Sequence, residues 1–225
     1  MIVIKRGKEP NSLLKFRKEN PDADYESDMP TDVLKDIREQ MWEEQSSLCA
    51  YCMKKIEAPS VVRIEHCRPR HPQDEQEHDK KATLDFKWML GVCYGNSLVR
   101  GVKPEDKTCD AHRGNEELTV NPFDEMSVRK IKYKADGSIY SNDADINKDV
   151  TETLNLNCQA LSLPQTRKNV LMAEKNRIMR KCKGKSQDAF MRELERTYTS
   201  LVQERNLTPY CGIIISWLES KLKIS

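Results

Sequence analysis

The spacing of apolar residues divides the chain into stretches of different texture. Behind Thr31-Asp32, which resembles a helix cap, Val33, Leu34, Ile37, Met41 and Trp42 recur at helical spacing as far as Ser46 and predict one amphipathic helix. The preceding residues 10–30 are polar and broken by Pro10, Asn20-Pro21 and Met29-Pro30, the pattern of an extended arm or linker. Residues 49–125 are rich in Cys, His, Pro and Gly. Their short apolar runs, such as Ser60-Val61-Val62-Arg63-Ile64, favour a small strand pair over long helices. Ile131-Lys132-Tyr133 and Ile139-Tyr140 flank Asp136-Gly137, and Asp-Gly supplies the positive φ that tight β-turns prefer, so a hairpin is expected there. Leu154, Leu156, Leu161 and Leu163, then Val170, Leu171, Ile178 and Met179, then Phe190, Leu194, Tyr198, Leu201 and Val202 mark two or three amphipathic helices, broken near Pro164 and Lys183-Gly184 and ended by Pro209. The tail Ile213-Ile214-Ile215-Ser216-Trp217-Leu218 is apolar enough to be buried, and no repeat or low-complexity tract interrupts the pattern. The prediction is an α+β fold, mostly helical, in three parts: an arm or linker over 1–30, a metal-organised core over 31–125, and a β-hairpin plus helical region over 126–225 that packs on the core.

Composition changes this picture in two places. A third of the 225 residues are charged yet the net charge is only +2, because the signs are segregated. Residues 19–44 carry ten acids against Lys35 and Arg38, while residues 163–205 carry eleven Lys/Arg against five acids. A basic stretch of that kind can follow a phosphate backbone, but charge runs on helices are more often solvated faces. No run approaches the 18 or so apolar residues of a membrane span, and Met-Ile-Val-Ile-Lys-Arg lacks the long apolar region of a secretory signal. A cytoplasmic protein with no membrane partner is therefore expected. In a reducing compartment its eight cysteines point to metal binding or catalysis rather than disulfides, and five of them fall between 49 and 109.

Cys49-Ala50-Tyr51-Cys52 places two thiols on one tight turn, a geometry suited to tetrahedral zinc, and Cys93 and Cys109 are the candidates to complete four ligands. The same CxxC also occurs as a redox pair in thioredoxin-like folds, but the βαβ context which that motif needs is missing. Between the halves lies Glu65-His66-Cys67-Arg68-Pro69-Arg70. An acid directly before a histidine can present a carboxylate to a divalent cation while the imidazole takes a proton from water, the requirement of metal-assisted phosphodiester hydrolysis; the plain alternative is a surface Glu-His pair. In Cys109-Asp110-Ala111-His112-Arg113-Gly114-Asn115, His112 follows a metal-ligating cysteine and is a candidate second ligand of the catalytic cation, with Asp110 and Asn115 within one turn as alternatives. Two metals are expected: a structural Zn2+ on four thiolates, and a harder Mg2+ or Mn2+ on the Glu/His site. Arg68, Arg70 and Arg113 are candidate phosphate-binding cations. His71 and His78 read as exposed loop histidines, and Cys67, Cys158, Cys182 and Cys211 as small packing residues.

These pieces, in this order, resemble the HNH (ββα-metal) endonucleases. Glu65-His66-x-x-Pro69 is similar to that family's acid-His-x-x-Pro element, Leu84-Asp85-Phe86-x-x-Met89-Leu90-x-x-Cys93 to its central segment, and Cys109-x-x-His112-Arg113-Gly114 to its closing helix. The resemblance implies a ββα-metal HNH core braced by the four-cysteine zinc site, with Glu65 and His112 as ligands of the catalytic cation, His66 as general base, and cleavage of DNA or, less often, RNA. One position departs from the pattern: Trp88 stands where the family has an Asn that steadies the loop behind the catalytic histidine, and Asn96 is one residue that can take its place. Over roughly residues 30–215, through CxYC, Leu118-Thr119-Val120-Asn121-Pro122-Phe123-Asp124 and Leu154-Asn155-Leu156-Asn157, the chain is similar to the PtuB-type HNH proteins of bacterial Septu and retron anti-phage systems. That likeness implies a nuclease subunit working beside an ABC/SMC-like ATPase of the PtuA type and, in retron systems, a retron RNA–DNA and reverse transcriptase. The alternative reading is a zinc-braced nucleic-acid or partner-binding module that has lost cleavage.

Overall fold

The computed structural model describes residues 1–68, 70 and 80–224, with the backbone alone at Lys80. Pro69, His71 and His78 of the sequence reading lie outside these residues. Helix α1 (Asn11–Glu19) and helix α2 (Thr31–Glu44) come first, so the stretch read as an extended arm is in part helical. Pro10 and Pro30 each stand immediately before a helix, where a missing N–H costs nothing, and Leu13 is fully buried beside Ile37 and Met41 of α2. Burying side chains of this size stabilises by about 1.5–3 kcal/mol each, enough to order a short polar helix that its composition alone would not hold.

Strand β1 (Arg63–His66) and strand β2 (Met89–Val92) form an antiparallel pair with Glu65 opposite Leu90 and His66 opposite Met89. The expected strand begins later than Ser60, because Pro59–Val61 closes a 3-10 turn first. Helix α3 (Lys80–Thr83) precedes β2, and β2 is buried along its whole length. Gln45, itself buried, fastens α2 to β2: its amide donates to Leu48 O and Gly91 O and accepts from Gly91 N, at 2.7 to 2.8 Å. The Arg6 guanidinium lies over the rings of Phe86 (4.2 Å) and Phe123 (4.6 Å), pairs with Glu44 at 2.7 Å and donates to Met89 O, tying the first residues of the chain to the same strand. One-turn helix α4 (Asp110–Arg113) follows Cys109, and α5 (Glu125–Arg129) leads into the second sheet.

That sheet pairs strand β3 (Ile131–Tyr133) with strand β4 (Ile139–Ser141), as the Asp-Gly signal predicts. Residues 134–138 make the turn, with Gly137 at φ +88 and its carbonyl accepting from buried Arg167 at 2.6 Å. A Cβ there would lie 2.0 Å from Pro164 O, so the hairpin can only seat on the following helix because position 137 has no side chain. Gly137→Ala is expected to cost about 3 kcal/mol, read as a lowered urea midpoint with an unchanged m-value; an unshifted midpoint would contradict this seating.

Helix α6 (Ala144–Lys148) runs into a π-turn over Asp149–Thr153, and three helices finish the chain: α7 (Leu163–Cys182), α8 (Gln187–Val202) and α9 (Gly212–Leu222). Pro164 sits in the first turn of α7 and starts that helix rather than breaking it, since its fixed φ is already helical. One apolar cluster joins α1, α2, both sheets and Leu154 and Leu156. A second gathers Leu171, Ile178, Leu194, Leu201 and Leu218 of the last three helices against Leu48 and Met53. Among the described residues no helix is long and apolar enough to cross a membrane.

Candidate metal and active centre

The four cysteines singled out by spacing meet at one point. The Sγ atoms of Cys49, Cys52, Cys93 and Cys109 all lie within 4.8 Å of one another, with 49 to 109 at 3.9 Å, 52 to 93 at 3.7 Å and 93 to 109 at 3.8 Å. A tetrahedron of about 2.3 Å metal–sulfur bonds has edges of about 3.8 Å, and the three separations given match it, so the tetrad suits one zinc-sized ion. The CxxC turn is built for this: Met53 N donates to Cys49 O, Lys54 N to the Cys52 sulfur at 3.4 Å, and Cys49 N to Lys54 O. Cys109 takes φ 56 and ψ −143, a region L-residues rarely occupy, and is held there by its N–H donating to Leu154 O at 2.9 Å. Contact with Cys109 first, and then Cys49 and Cys52, drives the Cys93 thiol far below its ordinary range, while Cys109 is pushed above it by Cys49. Four sulfurs this close cannot all be thiolates without a cation between them, and a divalent metal resolves that conflict.

Beside the tetrad, β1 and α4 border a cavity of about 330 Å3 lined by Glu65, His66, Arg70, Asp110, Arg113 and Asn115, among others. Strand alternation separates the two neighbours on β1. Glu65 turns toward Arg113 and Tyr51, whose hydroxyl donates to its Oε1 at 3.1 Å. Burial pushes the Glu65 carboxyl up to about 7, with Arg113 pulling down and the neighbouring Asp110 pushing further up. Asp110 pairs with Arg63, yet its Oδ2 is not aligned for a hydrogen bond with that cation or with any other described residue.

His66 turns the other way. Its Nε2 lies 2.8 Å from Thr83 O, and a carbonyl can only accept, so Nε2 carries the proton and Nδ1 the lone pair. The residue is 4% exposed, and its ring meets Tyr25 edge-on at 4.5 Å between centroids. Burial lowers its pKa to about 4, which leaves the imidazole neutral at pH 7. An NMR titration of the zinc-loaded protein without added divalent cation is expected to show His66 protonating near pH 4, and Tyr25→Ala to raise that midpoint by about one unit as water reaches the ring. A midpoint of about 6.5 in the wild type would mean the ring is not covered.

The remaining sequence candidates fall as follows. Arg113, with its side chain 1% exposed, donates to Glu65, His66 O, Cys67 O and Glu116 O, so it braces the site from inside and leaves phosphate contact to other cations. His112 is outside the cavity lining, with Nδ1 3.0 Å from Thr153 O, whereas both of its alternatives, Asp110 and Asn115, line it. Arg70 lines the cavity and pairs with Glu26 while lying over the Tyr25 ring; Arg68 instead stacks on Trp88 at 4.3 Å beside a separate cavity of about 190 Å3. Trp88 holds the loop through its backbone, its carbonyl accepting from Cys67 N at 2.8 Å, and Asn96 serves elsewhere, donating to Asp106 O. Four participants carry no role in the sequence reading: Tyr25, Tyr51, Arg63 and the Thr83 carbonyl. Arg63 was findable, being two residues from Glu65 on the same strand face, and Tyr51 lies inside the CxxC turn. Tyr25 and Thr83 arrive through tertiary packing that no local pattern announces.

No protein-family model matches the chain, and no curated protein matches it.

Proposed function

We propose that this chain is a metal-dependent HNH endonuclease that hydrolyses nucleic acid phosphodiesters, with DNA as the favoured substrate, and acts in the cytoplasm as the nuclease subunit of an anti-phage defence complex with an ABC/SMC-like ATPase. The observation that carries the chemistry is a neutral imidazole, its proton fixed on Nε2 by Thr83, at the same cavity as two adjacent carboxylates and next to a thiol tetrad suited to zinc. The order β1, β2, α4 is also the order that the resemblance to ββα-metal enzymes implies. The defence role and the ATPase partner rest on that resemblance alone.

The donor set fits a hard cation. Magnesium and manganese commonly bind through one or two carboxylates and fill their remaining positions with water and substrate phosphate, and Glu65 with Asp110 offers such a pair. When bound, the cation supplies positive charge to the phosphoryl oxygens and the leaving 3′-oxygen. His66 Nδ1 takes the proton of the attacking water, and the Thr83 carbonyl stabilises the imidazolium that results. Arg70, on the cavity wall, meets the negative phosphate once it parts from Glu26. Arg113 keeps Glu65 and the carbonyls of His66 and Cys67, at the end of β1, in place throughout.

The test is plasmid and single-strand cleavage with manganese or magnesium, with and without the ATPase. Cleavage that needs the added cation supports the reading; none in any lane from folded, zinc-loaded protein sinks it. One observation favours the second reading, a binding module without cleavage: Tyr25 covers His66 and leaves it little access to water. Nucleic-acid affinity that persists in those same inactive lanes would establish it.

A further inference from the structure

The loop that joins the last two sulfur ligands ends in an apolar tip with nothing to pack against. Leu98 is 74% exposed and Val99 56%, and a Cβ placed at Gly101 would touch nothing within 4 Å. Exposed aliphatic tips are common on mobile loops, but this one is braced from below. Cys93 and Cys109 anchor its ends in the tetrad. Thr108 N donates to Gly95 O at 3.0 Å, Asn96 to Asp106 O at 3.1 Å, and Asn155 to Glu105 O and Lys107 O at 2.8 and 2.9 Å. Gly95, at φ +52, passes so close to Thr108 O that a Cβ would lie 2.0 Å from it. Ser97 Oγ and the Val99 and Val102 N–H groups bond back within the loop, so the tip is presented in a fixed shape.

Its position and flanking charge say what it meets. Ser97 and Lys107 line the Glu65/His66 cavity, and Leu98 is the next residue after Ser97, one Cα step of about 3.8 Å away. Arg100 makes no ion pair among the described residues, while Lys103 pairs only loosely with Glu105 at 4.0 Å. An aliphatic pair flanked by cations, held rigid beside a candidate phosphate site, suits the minor groove of duplex DNA. That groove is about 6 Å wide, too narrow for a helix but open to a loop tip, and aliphatic wedges there unstack one base step while nearby Lys and Arg hold phosphates.

We infer that Leu98-Val99 is a wedge that enters the minor groove of duplex DNA beside the phosphate bound at the Glu65/Asp110 cavity. This rests on the nucleic-acid reading above and adds to it a preference for duplex over single strand. A duplex carrying 2-aminopurine at successive steps, and the same labelled strand alone, are titrated by fluorescence and anisotropy without added divalent cation. The wild type is compared with a Leu98→Ala plus Val99→Ala variant, which loses little internal packing because both side chains are exposed. The wedge predicts a fluorescence rise at one step with wild-type protein, its loss in the variant, and duplex affinity lower by about tenfold with the salt slope and single-strand affinity unchanged. Wild-type binding with equal affinity and equal fluorescence in the variant overturns the wedge, leaves the nucleic-acid reading standing, and assigns the tip to a protein partner. Failure of the wild type to bind either nucleic acid overturns both.

Discussion

Cys109→Ser is expected to release the metal and unfold the middle of the chain. The tetrad collects ligands from three separate places, the 49–52 turn, the end of β2 and the start of α4, and among the described residues no other group of three or more Cys, His, Asp or Glu side chains is close enough to hold an ion. A structural zinc contributes on the order of 10 kcal/mol to the folding of the segments it joins, comparable to the whole stability of a small domain. The substitution leaves the Cys109 N–H on Leu154 O, so the uncommon backbone conformation there loses its metal bond and keeps only that hydrogen bond. Zinc is expected at about one per chain in the wild type and near zero in the variant, with loss of near-ultraviolet dichroism and of amide protection across 49–55 and 93–113. Cys182→Ser, at the far end of α7, is the control and is expected to keep both. A Cys109→Ser protein that retains its zinc and melts normally would show the ligand set to be wrong.

His66→Gln is expected to cut cation-dependent cleavage by about a thousandfold while leaving zinc content and melting temperature close to wild type. Glutamine is preferred to alanine because its amide can still donate to Thr83 O and fill the space under Tyr25, so that the loss isolates the base. General bases typically contribute about two to four powers of ten. Rates within about threefold of wild type would place the base elsewhere and leave His66 as a packing residue. Loss of zinc along with activity would mean that the variant has disturbed the fold, and His66→Asn would then decide.

The thiol tetrad was legible because clustered thiols at CxxC spacing admit few uses other than holding a metal when no βαβ redox context accompanies them, even though Cys93 and Cys109 are sixteen positions apart. The Asp-Gly hairpin and the α7 and α8 pattern were legible for a similar reason, since turn chemistry and 3.6-residue periodicity are local. Helix α1 was not, because its nine residues carry little apolar signal and are ordered by Leu13 reaching the α2 face. The division of labour around the cavity was likewise hidden. That Arg113 points inward and His112 toward Thr153 depends on which side of a four-residue helix meets β1, and one turn is too short for periodicity to say.

The buried bond between Glu65 and Arg113 also bears on how such a sequence can drift. Each charge is almost sealed from water, so removing either alone strands its partner at a cost of about 3–5 kcal/mol. A change at position 65 alone is therefore costly to stability, and a compensating change at position 113 is needed to relieve that cost. Because Arg113 belongs to the turn that Cys109 opens, the same coupling joins the inheritance of the acid on β1 to that of the sulfur ligands. A lineage that abandoned the thiol tetrad would have to find a new support for the carboxylate in the same step.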